Sequence, residues 1–167
     1  MTATEPRARR DFPFVAQRKA RDCAFACLRM ILRFHGGDQD FTSSRFASCL
    51  SRDGMTVLTL TRIAEQLGLR CSVLQGTLEE FTSEVALPCI IVWQQNHFMV
   101  VYRVTEDTIF IANPARGFEE LSHEEFRDGW TLPHRGNDGI VLTLTPGDEL
   151  AVDDRAVDAA SGHPVAL

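Results

Sequence analysis

An α+β fold is predicted for this chain, helices in the first half and an antiparallel sheet in the second. Leu60, Ile63, Ala64 and Leu67 recur at helical spacing ahead of Gly68. From Leu69 onward the apolar residues instead gather into short runs rich in Val, Ile and aromatics, separated by turn residues. With 167 residues, 44% of them hydrophobic and 24% charged, the chain fits one globular domain with room for a core.

In order along the chain, residues 1–11 read as a flexible polar leader. Asp22 then stands as N-cap of a helix through "CAFACLRMILRFH", which Gly36 and Gly37 stop. A short helix is expected around "SSRFASCLS" and a clearer one over "LTLTRIAEQLG", with Gly68 as its terminator. The strands are "LRCSVLQ", "CIIVWQ", "HFMVVYRV", "TIFIA" and "GIVLTLT". In "SHEEF", Ser122 precedes Glu125 by three positions, a capping-box signature for one more short helix. No internal repeat is visible. Beyond Pro146 the chain turns acidic and rich in small residues, so 147–167 is expected to be a flexible tail or linker, leaving 12–146 as the domain.

A formal charge of -6 argues against a general nucleic-acid binder. Residues 1–35 carry eight Arg/Lys against three Asp/Glu, which reads as a solvated basic segment, with steering of an acidic peptide as the alternative. The five cysteines, Cys23, Cys27, Cys49, Cys71 and Cys89, lack the even spacing of a disulfide scaffold, so a reducing, cytoplasmic setting is expected. Arg9 and Arg10 hint at a twin-arginine signal, but only "FPFVA" follows before charge returns. "VALPCIIVW" is interrupted by Pro88 and falls well short of the ~18 apolar residues a membrane span needs.

The chemistry enters at the ends of two strands. Pairing residue 103 with 107 across a turn at Thr105 and Glu106 sets His97 directly opposite Asn113, with Cβ atoms about 5 Å apart on one face. The rest of the pair is apolar on both sides: Met99, Val101, Ile109 and Ile111 on one, Phe98, Val100, Tyr102 and Phe110 on the other. An Asn beside a His is the support a cysteine nucleophile needs. The carboxamide oxygen accepts the proton of one ring nitrogen and leaves the other to take the thiol proton. Cys23, in the first turn of its helix, sits where the helix dipole favours a thiolate. Gln17, six residues earlier, can donate an amide hydrogen to an oxyanion forming beside it.

Each of these residues also has a plainer reading. Cys27, Cys49, Cys71 and Cys89 are read as small buried hydrophobes, and Trp93, Phe98 and Tyr102 as core rather than a substrate platform. His97 alone would be a core histidine, Asn113 a turn former before Pro114, and Gln17 a surface residue. His35, His123, His134 and His163 have no assignable partner. Cys23, Cys27 and His35 are considered as zinc ligands and set aside, for want of a fourth ligand.

The order Gln, Cys on a helix start, then distant His and Asn on strands, is that of papain-like peptidases. More closely, "QRKARDCAFACLRMIL", "LPCIIVWQQNHFMVVYRV", "IFIANPARGFEELSHEEF" and "GIVLTLTP" resemble the bacteriocin-processing cysteine peptidase domains found at the amino terminus of peptidase-containing ABC transporters. The resemblance spans about residues 12–146 and rests on motifs specific in order and spacing together. It implies a papain-like fold in which the helical half packs on the sheet, with Cys23 as nucleophile, His97 as base, Asn113 orienting it and Gln17 at the oxyanion. It also implies a precursor peptide as partner, with an amphipathic helical leader ending in Gly-Gly and cut after that pair, and an ABC transporter in cis or trans. Neither a cofactor nor a metal is expected. Two departures stand out. Ala24 replaces the usual glycine after the nucleophile and is expected to tighten the oxyanion region. Asn113 replaces the usual aspartate, and a carboxylate there would be expected to serve equally well or better. A leader-binding module with weak or no proteolysis is the alternative, and a thiol acyl transferase or amidase a more distant one.

Overall fold

The short apolar runs of the second half form a six-stranded, wholly antiparallel sheet. The computed structural model describes residues 11–37, 43–52 and 54–148; the leader up to Arg10, most of the acidic tail and His163 lie outside them. The strands are β1 (Leu69–Gly76), β2 (Cys89–Trp93), β3 (His97–Val104), β4 (Thr108–Asn113), β5 (Gly117–Ser122) and β6 (Gly139–Pro146). They lie in the order β1-β6-β2-β3-β4-β5. β5 is not among the expected strands, because "GFEELS" carries too much charge to read as one.

Among the described residues four α-helices flank the sheet: α1 (Cys23–Phe34), α2 (Val57–Gln66), α3 (Leu78–Glu84) and α4 (His123–Trp130). A 3-10 helix over Ser43–Cys49 replaces the short helix expected there, and another spans Pro133–Arg135. Helix α1 ends as its sequence dictates: Gly36 turns into the left-handed region at φ 81, and the Gly36 and Gly37 amides donate to the Arg33 and Leu32 carbonyls. Gly68 ends α2 likewise, at φ 86. The α4 capping box forms in full between Ser122 and Glu125. An identical box between Thr77 and Glu80 starts α3, a helix the strand-rich second half concealed.

These helices cover both faces of the sheet, so the picture of a helical half stacked on a β half is incomplete. On one face α1 and α2 bury Leu28, Ile31, Leu60 and Ile63 against Ile90, Phe98, Val100 and Leu142. On the other, Leu78 and Phe81 of α3 and Phe126 and Trp130 of α4 cover Cys89, Ile91, Met99, Val101 and Ile111. The central strands β2 and β3 are therefore apolar on both sides.

The β3–β4 register differs from the expected one. Val100 pairs with Ala112 and Val101 with Ile111; beyond an irregularity at Tyr102, Arg103 pairs with Phe110. His97 and Asn113 are thus diagonal neighbours rather than direct partners. A two-residue shift preserves the face on which each side chain lies, which is why they still meet. The extra residue, Tyr102, stacks on Phe12 with centroids 4.9 Å apart and meets Phe118 edge-on at 5.6 Å. Phe14 also touches Phe118, at 5.3 Å, so the segment leading to α1 is held along the β3–β5 side of the sheet.

His97 is placed by the turn before it. Gln94 and Gln95 have φ of 47 and 71, as in the primed hairpin turns, and the Asn96 amide donates to Trp93 O at 3.3 Å. Such backbone in non-glycine residues costs about 1–2 kcal/mol each, so an outside support is needed. It comes from α4, where Gly129 O accepts from Gln94 N at 2.9 Å and the absent side chain of Gly129 leaves room for the Trp93 ring. A Gly129→Ala methyl would run into that ring. It is expected to lower stability by about 1–3 kcal/mol through overpacking, read as a lower urea midpoint. Leu58→Ala, at a side chain 61% exposed, should move the midpoint little. Equal midpoints for the two variants would remove α4 from the support of the turn.

Candidate active site

Cys23 opens α1 at the sheet margin where β3 begins and β4 ends. Asp22 holds the N-cap position but does not cap: at φ -88 and ψ 2 its backbone is not extended, and its carboxylate accepts from Lys19 N at 3.2 Å instead. With the Asp22 amide donating to Lys19 O, this closes a turn that delivers the helix start. Cys23 is buried, and the side chain of His97 is its hydrogen-bond partner.

Asn113 fixes the imidazole. Its Oδ1 accepts from Ala115 N at 3.0 Å and lies 2.9 Å from His97 Nε2, while its Nδ2 donates to Glu119 Oε2 at 2.7 Å. A backbone amide can only donate and a carboxylate only accepts, so the carboxamide is oriented from both ends. Its oxygen must then face His97, which places a proton on Nε2 and turns Nδ1 toward the thiol. Asn113 is 6% exposed and all of its side-chain groups are bonded, as burial requires.

The electrostatics follow. Burial pushes the Cys23 thiol up, but the His97 hydrogen bond, the Phe98 amide, the imidazole charge and the Ala24 amide together bring it below the usual thiol value. Burial likewise disfavours charged His97, and is outweighed by bonds to Cys23 and Asn113 and by the charges of Cys23 and Glu119, so its pKa is raised. Both shifts favour a thiolate beside an imidazolium. Cys27, one turn further along α1, is held well above the ordinary range by burial and then by Cys23. Cys89 is also raised by burial.

Gln17 reaches the site through its backbone: its amide donates to the carbonyl of Pro114, next to Asn113, at 3.0 Å. Its side-chain Nε2 donates to Lys19 O at 3.2 Å and has a second hydrogen to give. Its Oε1 is buried with no partner among the described residues, an environment no ordinary surface glutamine has. Ala24 is fully buried in the cluster beneath α1, so its methyl belongs to the core.

Other expectations change. Cys49 is exposed and Cys71 half-buried with its sulfur 3.9 Å from Thr61 Oγ1, so neither is a buried hydrophobe; Cys27 and Cys89 are. His123 does have a partner, its Nε2 lying 2.9 Å from Thr105 O, and His35 bonds the backbone of Leu144. Trp93 is half-buried against Phe126, and Phe98 is core. Among the described residues no group of three or more His, Cys, Asp or Glu could hold a metal ion. Glu119 is the site residue that the sequence does not announce, since its place emerges only from the pairing of β5 with β4.

The model of the Peptidase C39 family matches residues 11–147. A probable microcin-H47 secretion/processing ATP-binding protein of Escherichia coli is 32% identical over 151 residues, covering 90% of this chain and 20% of its own. The colicin V secretion/processing ATP-binding protein of the same species is 33% identical over 143 residues, covering 86% and 19%. The chain thus spans about a fifth of the length of these relatives. Among solved structures, a double glycine motif protease from an AMS/PCAT transporter, in complex with the leader peptide, superposes with a TM-score of 0.71 at 29% identity, over 80% of this chain and 91% of that one. The peptidase domain of Streptococcus ComA shares the fold at a TM-score of 0.69 and 21% identity. The antiparallel sheet, the cysteine opening α1 and the match along 11–147 make this chain a member of the Peptidase C39 family.

Proposed function

We propose that the chain is a cysteine endopeptidase that removes leader peptides from ribosomally made precursors after a Gly-Gly pair, at the cytoplasmic side of the membrane and coupled to export. The observation that carries this reading is the doubly anchored Asn113 carboxamide, which holds His97 in the tautomer a thiol nucleophile needs. The family, and the leader complex of the related double glycine protease, support the substrate class. No helix among the described residues is long and apolar enough to cross a membrane, so a membrane location would come from a transporter in cis or trans.

In this mechanism the Cys23 thiolate attacks the carbonyl carbon of the second glycine, forming a C–S bond and an oxyanion. The Cys23 backbone amide and the second Gln17 hydrogen donate to that oxyanion. His97 gives its proton to the leaving amine as the peptide bond breaks, leaving a thioester on Cys23. Water, deprotonated by His97, then attacks the thioester and releases the leader. Glycine specificity has a steric rationale: a channel with no room for Cβ rejects every other residue by clash rather than by missing contacts.

The test is mass spectrometry of a synthetic double-glycine precursor after incubation. The parent is expected to yield two peptides, and Cys23→Ala and His97→Ala to leave the precursor intact, each losing about as much rate because nucleophile and base act as a unit. A precursor left unchanged by the parent would favour a binding module, and a covalent adduct a transferase. Cleavage by Cys23→Ala would overturn the nucleophile. Cys27→Ser should keep most activity.

Thiol chemistry gives an independent check. With its pKa lowered, Cys23 should react with iodoacetamide at pH values where an ordinary thiol does not. Peptide mapping keeps its reaction apart from that of exposed Cys49. In His97→Ala the burial that raises the thiol loses its largest counterweight, so alkylation of Cys23 should move to higher pH. An unchanged profile would mean that His97 does not activate the thiol.

A further inference from the structure

Asn113 is neutral, so it orients His97 without supplying the charge that would stabilise an imidazolium. The charge is one bond further out. Glu119 Oε2 accepts from Asn113 Nδ2 at 2.7 Å, short for an amide–carboxylate hydrogen bond. Its neighbour Arg116 is only loosely engaged, 3.8 Å away with a side chain 77% exposed, a pairing that gains little in water. Glu119 itself is 27% exposed, on the edge strand β5 and close to where Asn113 pairs with Gly117. The carboxylate is therefore committed to the amide rather than neutralised by the arginine.

We infer that Glu119 is a positioning residue of this active site, supplying through the Asn113 carboxamide the negative charge behind His97, in a relay Cys23–His97–Asn113–Glu119. This inference rests on the assignment of Cys23 and His97 proposed above. An amide can link a carboxylate to an imidazole while remaining neutral and without taking up a proton. It gives a hydrogen to Glu119 with Nδ2 and accepts one from His97 with Oδ1, and each bond polarises the other. The charged or titratable groups facing the imidazole are Cys23 from α1 and Glu119 from β5, with Arg116 on the outer side of Glu119. The charge on Glu119 is one of the causes that raise the pKa of His97.

The relay reverses the expectation for a carboxylate at position 113. In Asn113→Asp the donor to Glu119 becomes a second carboxylate in the same contact, and like charges that close cannot both ionise in place. The pair must take up a proton or move apart, and in either case the support of His97 is altered. Adding Glu119→Gln resolves the conflict: the amide introduced on β5 donates to the carboxylate introduced on β4, and the charge simply moves one residue inward.

The experiment is a double-mutant cycle on the full chain, read as kcat/KM on the synthetic double-glycine precursor across pH, together with the NMR titration of His97. Glu119→Gln is expected to lower kcat/KM about fivefold, the difference between a charged and a neutral hydrogen bond. It should also move the alkaline limb to lower pH, because a lost negative charge lowers the pKa of His97. Asn113→Asp alone should lose about tenfold, and the double variant combining Asn113→Asp with Glu119→Gln should return to within about threefold of the parent with the alkaline limb at or above its original pH. The NMR titration reads the same shifts without substrate. Additive losses in the double variant, or an unmoved His97 titration in Glu119→Gln, would overturn the relay. Activity remaining in His97→Ala would instead overturn the base assignment on which the relay rests.

Discussion

The carboxamide of Asn113 is the constraint around which the site is arranged. It is buried and bonded on three sides, to the Ala115 amide, to His97 and to Glu119. A group with both a donor and an acceptor, each held by a partner of fixed polarity, has one orientation, and that orientation decides where the imidazole proton sits. Everything else serves to bring a thiol to the nitrogen left over. The strained Gln94–Gln95 turn sets His97 at the start of β3, and α4 holds that turn from behind. The segment from Phe12 to Asp22 sets Cys23, pinned by Phe12 on Tyr102, Phe14 on Phe118 and Gln17 on Pro114.

The two faces of the sheet divide these tasks. The face under α1 and α2 carries the thiol beside His97, and its cluster includes Cys23 and Ala24 themselves. The opposite face, under α3 and α4, carries the support of the turn before His97. Cross-strand continuity between the faces lets residues distant in sequence meet at one margin with little freedom. That rigidity matters for a pair whose protonation depends on contact: burial alone would leave the thiol neutral and the imidazole uncharged, and only their mutual proximity reverses both tendencies.

Much of this is legible in the residues because it depends on local rules. Glycines mark the ends of α1 and α2, a capping box opens α4, and the apolar runs name five of the six strands. Cys23, His97 and Asn113 can be brought together even with a register two residues out, since alternation has period two and an even error keeps the face. The error arises at the turn, where Val104 pairs with Ile109 and the register is three residues out; the irregularity at Tyr102 then takes up one of them, and no local signal announces either. Glu119 cannot be found this way. "GFEELS" lacks β-branched residues, and its carboxylate acquires meaning only from a neighbouring strand. Helix α3 is readable in principle, because Thr77 and Glu80 repeat the signature of Ser122 and Glu125. The Asp22 side chain misleads because a cap residue and a turn residue are the same amino acid until the backbone angle is known.

The strand order has a consequence for how the molecule comes to exist. Among the described residues β6 is the last strand in the chain; it lies between β1 and β2, and β1 pairs there with no other strand. During synthesis the emerging chain can close the β2–β3 and β3–β4 hairpins early, but the sheet keeps a gap until residues 139–146 leave the ribosome. Until then Leu142 and Leu144 are missing from the cluster that encloses Cys23. The surroundings of Cys23 are therefore completed by a strand late in the chain, and a nascent chain stalled before β6 has Cys23, His97, Asn113 and Glu119 but not the finished core that holds them.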